Sequence, residues 1–189
     1  MSRLTLILGG ARSGKSRYAQ ELATREAQGR PVLFIATAQA GDEEMTTRIT
    51  RHQADRPAHW RTAEEPLEVA DLLRHEQDAP IVLIDCLTFF VTNHLLRSGK
   101  AAHCEADVWD EAGTEAAVAD LLLAARECEA RVIIVSNEVG LGLVPETALG
   151  RVWRDATGRA NQAAAQAADE VFFLVAGLPL RVKPTSGTL

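Results

Sequence analysis

An apolar run followed at once by a glycine-rich turn opens the chain and constrains its fold more than any other stretch. The run LTLIL leads into GGARSGKS, which matches the phosphate-binding pattern G-x-x-x-x-G-K-[ST]. The pattern lies between a predicted strand and a predicted helix, which is the setting in which such loops bind phosphate. The sequence therefore predicts a P-loop in an α/β protein, and nucleotide binding as part of its function.

Each position of this loop has a physical role. Glycines at 9, 10 and 14 allow a tight turn whose N–H groups point at phosphate, and the next helix adds the positive end of its dipole. Lys15 supplies a charge for the β and γ phosphates, while the Ser16 hydroxyl is placed to bind Mg²⁺. The alternative is an ordinary glycine turn with a surface lysine, which this setting disfavours. The predicted nucleotide-binding residues of the loop are Gly9, Gly10, Ala11, Arg12, Ser13, Gly14, Lys15 and Ser16.

The size and composition of the chain fit one soluble α/β domain. It has 189 residues, of which 47% are hydrophobic and 24% are charged. A formal net charge of −6 argues against a nucleic-acid partner, because phosphate-backbone binding needs a basic surface. We expect the domain to span residues 1–183 and a loose tail to follow at 184–189.

The cysteines and the apolar runs bear on the cellular compartment. The chain has three cysteines and no C-x-x-C pair, so neither a disulfide framework nor a zinc site is predicted. No signal peptide precedes the P-loop, and no apolar run approaches the roughly 20 residues of a membrane span. We therefore expect a cytoplasmic protein.

Predicted strands and helices alternate along the chain in the manner of an α/β fold. The predicted strands cover residues 4–8, 32–35, 81–85, 132–135, 171–175 and 180–182, the last at a sheet edge. The predicted helices cover residues 16–28, 42–55, 66–75, 87–96, 111–129 and 146–168. Short apolar strands between helices predict a mostly parallel sheet with helices on both faces.

Two stretches between these elements have no regular pattern. Residues 56–64 are dense in cationic and aromatic side chains, and they either hold a base or a phosphate or form a surface hairpin arm. Residues 100–110 show little periodicity, which predicts an exposed connection.

The apolar strand IVLID ends in an acid, which is the Walker B pattern. Such an acid lies beside the P-loop and holds Mg²⁺ directly or through water, so Asp85 is the predicted metal ligand. Cys86 follows it and is interpreted as a small buried residue rather than a nucleophile, because the sequence fixes no base nearby.

His52 has two competing interpretations. It shares one predicted helix face with Met45 and Ile49, and from this spacing alone a packed histidine is favoured over a functional one. A neutral imidazole can also attack the α-phosphate of a nucleotide and form a phosphoramidate. Arg48, Arg51 and Arg56 are charged candidates to assist, and the sequence does not choose among them.

The ends of the other strands narrow the class of nucleotide-binding protein. Residues 36–38 follow a buried strand, and ligands bind at the carboxyl ends of strands in open α/β sheets. The loop after the strand 132–135 carries no N-K-x-D sequence, which argues against a Ras-like GTPase.

Several blocks of the chain resemble one enzyme family. They are GGARSGKS, FIATAQ, DEEMTTRITRHQADRPAHWRTAEEP, DCLT, VTN, SNEVGLGLVPET and GRANQ, and together they cover nearly the whole chain. These blocks are similar to the bifunctional adenosylcobinamide kinase and adenosylcobinamide-phosphate guanylyltransferase of cobalamin biosynthesis. The resemblance implies a cytoplasmic enzyme with a RecA-like P-loop fold, often a homotrimer.

The resemblance also implies two reactions and a set of site residues. The family phosphorylates adenosylcobinamide with ATP or GTP, then transfers GMP from GTP to adenosylcobinamide phosphate, releasing pyrophosphate. The histidine of its R-I-x-x-H-x-x-x-R-P-x-x-W pattern falls on His52, which implies a guanylylated intermediate there. The remaining nucleotide-binding positions of the family, outside the P-loop, fall on Ala36, Thr37, Ala38, Gln53, Ala54, Asp55, Arg56, Glu64 and Asp85.

One position departs from some relatives, and two other functions stay open. Some relatives carry two adjacent histidines at this site, whereas Arg51 precedes His52 here. A single-activity P-loop kinase would keep Lys15, Ser16 and Asp85 without needing His52. A nucleotide-dependent switch would bind nucleotide and turn it over slowly or not at all.

Overall fold

A computed structural model describes residues 3–39, 57–97 and 109–183. Its strands are β1 (Leu4–Gly9), β2 (Val32–Ala36), β3 (Arg61–Glu64), β4 (Ile81–Asp85), β5 (Arg131–Asn137), β6 (Glu170–Val175) and β7 (Leu178–Lys183). Its helices are α1 (Lys15–Ala27), α2 (Val69–His75), α3 (Leu87–Leu95), α4 (Glu111–Glu127) and α5 (Ala148–Ala167).

The strands form one sheet in the order β3-β2-β4-β5-β1-β6-β7. Neighbouring strands run parallel from β3 to β6, and β7 pairs with β6 in the antiparallel sense. Parallel strands must be joined by crossovers, which is why a helix separates most successive strands along the chain. The predicted mostly parallel sheet is confirmed, with β7 at its edge.

Apolar side chains cover both faces of this sheet. Ile7 of β1 packs in one cluster with Leu22 of α1. Leu6, its neighbour on the same strand, packs in a second cluster with side chains of α2, α3, α4 and α5, including Phe90. Successive residues of a strand point to opposite faces, so the continuous apolar runs serve two cores at once. The prediction of helices on both faces is therefore confirmed.

The strand β3 corrects one expectation from the sequence. Residues 61–64 were open to interpretation as part of a surface hairpin arm, but they pair in parallel with β2 at the edge of the main sheet. Their side chains are mostly exposed, so the strand is held by its backbone rather than by an apolar pattern. Arg61 forms an ion pair with Glu76, in which a guanidinium nitrogen lies 3.0 Å from a carboxylate oxygen.

The start of α2 also differs from the prediction. The helix begins at Val69 and not at Pro66. The Glu65 carboxylate accepts hydrogen bonds from the N–H groups of Leu67 and Glu68, at 3.0 and 2.8 Å. These bonds form a turn ahead of the helix, which delays its first helical residue.

The bounds of β5 and α5 shift by about two residues from the prediction. The strand continues through Ser136 to Asn137, which were predicted to be loop. The helix starts at Ala148 because the Thr147 hydroxyl caps it, accepting the Gly150 N–H at 3.1 Å. The predicted helix 42–55, most of the predicted connection 100–110 and the tail 184–189 lie outside the described residues.

An ion cluster around one buried carboxylate closes the amino edge of the sheet. Glu170, at the start of β6, is 2% exposed and pairs with Arg3, Arg131 and Arg181. Arg131, at the start of β5, is 15% exposed and pairs with Glu26 as well. Burial lowers the pKa of Arg131, although the carboxylates oppose this. The cluster ties β1, β5, β6, β7 and α1 together at the edge opposite the P-loop.

Candidate nucleotide site

The P-loop connects the carboxyl end of β1 to the first turn of α1. Gly14 precedes the helix with a φ of 89°, and Arg12 also lies in the left-handed region with a φ of 58°. The Ser13 N–H donates to the Gly10 carbonyl at 3.2 Å, and the Tyr18 N–H donates to the Gly14 carbonyl at 2.9 Å. The Lys15 ammonium donates to the Gly10 carbonyl at 3.2 Å, so its positive charge lies across the turn of the loop.

Two glycines of the loop are required by their surroundings. A Cβ on Gly9 would lie 2.4 Å from the Ser13 hydroxyl oxygen and 3.0 Å from the Leu174 carbonyl oxygen. A Cβ on Gly14 would lie 3.2 Å from the Cα of Gly177, and its positive φ adds strain for any other residue. Gly10 has no such neighbour within 4 Å, so the chain itself does not require glycine there.

Strands on both sides of β1 hold the P-loop in place. On the β5 side, the Glu138 N–H donates to the Gly9 carbonyl at 3.0 Å. On the β6 side, the Gly177 N–H donates to the Ser13 carbonyl at 2.9 Å. Gly177 has a φ of 83° and belongs, with Ala176, to the tight turn between β6 and β7. The loop conformation is therefore fixed by residues distant in sequence, which the P-loop pattern alone did not predict.

Thr37 joins the carboxyl ends of β2 and β4. It is fully buried, and its hydroxyl donates to the Cys86 carbonyl at 2.7 Å and accepts the Cys86 N–H at 2.8 Å. Its own N–H donates to the Asp85 carbonyl at 3.2 Å. Asn93 on α3 donates to the Thr37 carbonyl at 2.8 Å. The Thr37 hydroxyl is thus hydrogen-bonded to the backbone of Cys86, the residue after Asp85.

Three predicted site residues lie side by side on neighbouring strands. Ala36 of β2 is in register with Glu64 of β3 and with Asp85 of β4. The row ends at the same carboxyl edge of the sheet as the P-loop. Ala38 is half-buried just beyond this row. His52 and residues 53–56 lie outside the described residues.

Cys86 is a packing residue, as predicted. It is 4% exposed, and burial raises the pKa of its thiol to about 12, with the charge of Asp85 acting in the same direction. The charge of Lys15 lowers this pKa. The thiol is therefore protonated at neutral pH and unreactive.

A buried polar network behind the site was missed by the sequence analysis. The Ser136 hydroxyl donates to the Asn161 amide oxygen at 2.6 Å and lies 3.2 Å from the Thr88 hydroxyl. Thr88 also accepts the Asn137 N–H at 2.8 Å, and the Asn161 amide donates to the Asn137 carbonyl at 2.9 Å. The network fastens the end of β5 to α3 and α5. Its one sequence signal is Asn161, an asparagine in an alanine-rich helix, where that residue is disfavoured unless it has a partner.

The donor set of the site fits Mg²⁺ held largely through a nucleotide. The described residues contain no group of three or more His, Cys, Asp or Glu side chains suited to a metal ion. Mg²⁺ is usually bound by one or two protein oxygens together with water and substrate phosphates. Ser16 and Asp85 match this requirement, because they supply one hydroxyl and one carboxylate.

Comparisons with known proteins identify the family. The family described as cobinamide kinase / cobinamide phosphate guanyltransferase matches residues 5 to 182. The chain belongs to this family. The resemblance inferred from the sequence blocks is thereby confirmed.

Relatives of this kinase and guanylyltransferase family cover the chain almost completely. The bifunctional adenosylcobalamin biosynthesis protein CobU of Salmonella typhimurium is 45% identical, over 95% of this chain and 99% of that protein. The bifunctional adenosylcobalamin biosynthesis protein CobP of Pseudomonas aeruginosa is 49% identical, over 94% of this chain and 96% of that protein.

Solved structures with the same fold are more distant in sequence. One of them, described as an ATPase domain, is 15% identical with a TM-score of 0.57, over 98% of this chain and 78% of that chain. The flagellar accessory protein FlaH of Methanocaldococcus jannaschii is 13% identical with a TM-score of 0.51, over 97% of this chain and 79% of that chain. Such likeness shows the fold alone, and it agrees with the predicted P-loop NTPase class. Among the described helices, none combines the length and the apolar character that a membrane crossing needs.

Proposed function

We infer that this protein phosphorylates adenosylcobinamide and then transfers GMP from GTP to the adenosylcobinamide phosphate, yielding adenosylcobinamide-GDP and pyrophosphate. The observation that carries this conclusion is the family match over residues 5 to 182, which includes the complete P-loop. Both reactions consume a nucleoside triphosphate, so the enzyme needs a site that binds one. The P-loop at the end of β1 is that site.

In the kinase reaction, the acceptor hydroxyl oxygen attacks the γ-phosphorus of ATP or GTP. The bond from the γ-phosphorus to its bridging oxygen breaks, the nucleoside diphosphate leaves, and the hydroxyl proton passes to water. Lys15 and the backbone N–H groups of the loop stabilise the charge on the phosphates. Ser16 and Asp85 would hold Mg²⁺, which when bound neutralises charge on the β and γ oxygens.

In the guanylyltransferase reaction, we propose that His52 acts as the nucleophile. An imidazole nitrogen attacks the α-phosphorus of GTP, an N–P bond forms, and pyrophosphate leaves. A phosphate oxygen of adenosylcobinamide phosphate then attacks the same phosphorus and releases the histidine. The position of His52 in the family pattern supports this role. Glu64, Ala36 and Asp85 lie in one row at the carboxyl edge of the sheet, and this row supports the proposal that a nucleotide binds along that edge.

Assembly and location form a separate part of the proposal. We propose a homotrimer in the cytoplasm, which the family resemblance supports. Light scattering should give three times the 20.5 kDa mass of one chain. A mass of one chain at working concentration would refute the trimer without touching the assigned reactions.

Labelling with GTP that carries a radioactive α-phosphate tests the proposed roles of His52 and Lys15 together. His52→Ala should abolish the covalent label and the guanylyl transfer, while phosphorylation of adenosylcobinamide continues. Lys15→Ala should abolish both reactions, because both need the triphosphate bound and its charge neutralised. His59→Ala is the matched control, since His59 is an exposed histidine close in sequence and should keep the label.

Two outcomes of this labelling experiment would contradict the assignment. A label that persists in His52→Ala, or that maps to His59, would exclude His52 as the nucleophile. A His52→Ala protein that unfolds more easily and loses both activities in parallel would instead show that His52 is a packing residue.

A further inference from the structure

The connection from β5 to α5 displays apolar side chains to solvent. We call residues 138–147 the β5–α5 loop. Within it, Leu141 is 81% exposed, Leu143 is 96% exposed and Val144 is 66% exposed. Single exposed leucines are ordinary on protein surfaces, but three large apolar side chains exposed within four positions make this loop a candidate binding surface.

The β5–α5 loop is fixed at both ends. At its start, the Glu138 N–H donates to the Gly9 carbonyl of the P-loop, and the Gly140 N–H donates to the Glu138 carboxylate at 2.7 Å. At its end, the Arg151 guanidinium donates to the carbonyls of Pro145 and Glu146, at 3.1 and 2.7 Å. The loop therefore holds its apolar side chains outward while its ends are bound to the protein.

The centre of this loop offers no charged side chain to a phosphate. Residues 139–145 read VGLGLVP and carry no charged side chain. The triphosphate already has the P-loop, with Lys15 and the end of α1. An uncharged apolar segment that starts at the P-loop is suited to the other substrate, which must bring an oxygen to within about 3–3.5 Å of the reacting phosphorus.

The acceptor of this enzyme is much larger than its reacting arm. Its hydroxyl lies on a short linker attached to a corrin macrocycle, a broad ring with methyl groups on its faces. When the hydroxyl is at the P-loop, the macrocycle has to rest on surface beside it. We propose that the β5–α5 loop binds the corrin macrocycle through Leu141, Leu143 and Val144. This inference rests on the proposed function and assigns the acceptor side of the same site.

A second copy of the chain is the competing occupant of this patch. A standard protein interface needs about 20–30 residues on each side, far more than the three apolar side chains of the loop. The edge strand β7 offers a longer apolar surface for a copy, through Leu178, Leu180 and Val182. The size of the patch and its attachment to the P-loop both favour the macrocycle.

Substitution of the exposed leucines tests the proposal in the full-length enzyme. Leu141→Ser combined with Leu143→Ser should raise the KM for cobinamide about tenfold or more, because both side chains lose apolar contact with the ring. The KM for GTP and the rate at saturating cobinamide should stay unchanged. Leu123→Ser on α4, where the side chain is 53% exposed, is the control and should change neither KM. Val144→Ser alone should give a smaller shift in the same direction.

Two results with the double variant would overturn the proposal that the β5–α5 loop binds the macrocycle. An unchanged KM for cobinamide in the double variant would overturn the proposal, and so would a change in molecular mass by light scattering that accompanies the loss of activity. Equilibrium binding of cobinamide, followed by its visible absorbance, should weaken by the same factor as the KM rises. If the unmodified enzyme fails to phosphorylate adenosylcobinamide, the proposed function itself is wrong. An active enzyme that tolerates the double substitution refutes this inference alone.

Discussion

The turn at Gly177 allows a sharp test of how the P-loop is held. Gly177 and Gly29 both lie in the left-handed region, with φ of 83° and 82°. Alanine in this region costs about 1–2 kcal/mol at either position. A Cβ on Gly177 would lie 3.4 Å from an Arg17 nitrogen, which is ordinary contact, and Gly29 has nothing within 4 Å. The two substitutions therefore impose similar backbone strain without a clash.

The two variants should differ in nucleotide binding. In Gly177→Ala, relaxation of the turn weakens the 2.9 Å hydrogen bond to the Ser13 carbonyl, a bond of a kind that contributes about 0.5–1.5 kcal/mol. If the P-loop loses that support, affinity for a fluorescent GTP analogue should fall by a factor of about 2–10. Gly29→Ala should bind the analogue as tightly as the unmodified protein.

Thermal unfolding supplies the internal control for this comparison. For a chain of this size, each kcal/mol lowers Tm by about 2–4 °C, so both variants should have a lower Tm, and Gly177→Ala should lose slightly more because its hydrogen bond is weakened as well. Equal nucleotide affinity in the two variants, with the same loss of Tm, would refute the view that the β6–β7 turn supports the P-loop.

Two further predictions concern stability. Glu170→Gln should lower the free energy of unfolding by about 3 kcal/mol in chemical denaturation, because it removes one of the carboxylates that pair with Arg131. Kinase activity should persist, because the cluster lies at the edge of the sheet opposite the P-loop. Burial raises the pKa of Glu76, but the N–H groups of Ala79 and Asp78 and the charge of Arg61 outweigh it and lower the pKa below the ordinary value. The carboxylate therefore stabilises the fold above the ordinary pKa of about 4.3, and this stabilisation is lost as the pH falls through the lower folded value. Glu76→Gln should be destabilised in urea at neutral pH, and the difference from the unmodified protein should shrink as the pH falls below the ordinary glutamate pKa; a difference that grows on acidification would contradict this.

The sequence predicts the parts of this fold that depend on apolar strands and on a local motif. Strands such as β2 and β4 are continuous apolar runs, because a parallel sheet covered on both faces buries every side chain. The P-loop is read from consecutive residues, and the acid at Asp85 follows from its strand.

Features that depend on distant contacts were not predictable from the sequence. β3 reads RTAE, and as an edge strand it needs only backbone pairing, so it carries no apolar pattern. The bonds between the Thr37 hydroxyl and the Cys86 backbone form only because β2 pairs with β4. The hydrogen bond from the Gly177 N–H to the Ser13 carbonyl likewise forms only once β6 lies beside β1.

The place of β1 in the sheet has a consequence for the order in which the protein forms. β1 lies between β5 and β6, so the first strand to leave the ribosome pairs with strands that are made only after residue 130. The two hydrogen bonds that attach the phosphate loop to the neighbouring strands come from Glu138 and Gly177, which are synthesised later still. A nascent chain therefore carries the full phosphate-binding motif long before it can bind nucleotide. Because a ligand stabilises only the state that binds it, nucleotide cannot assist the early steps of folding and acts only on the completed sheet.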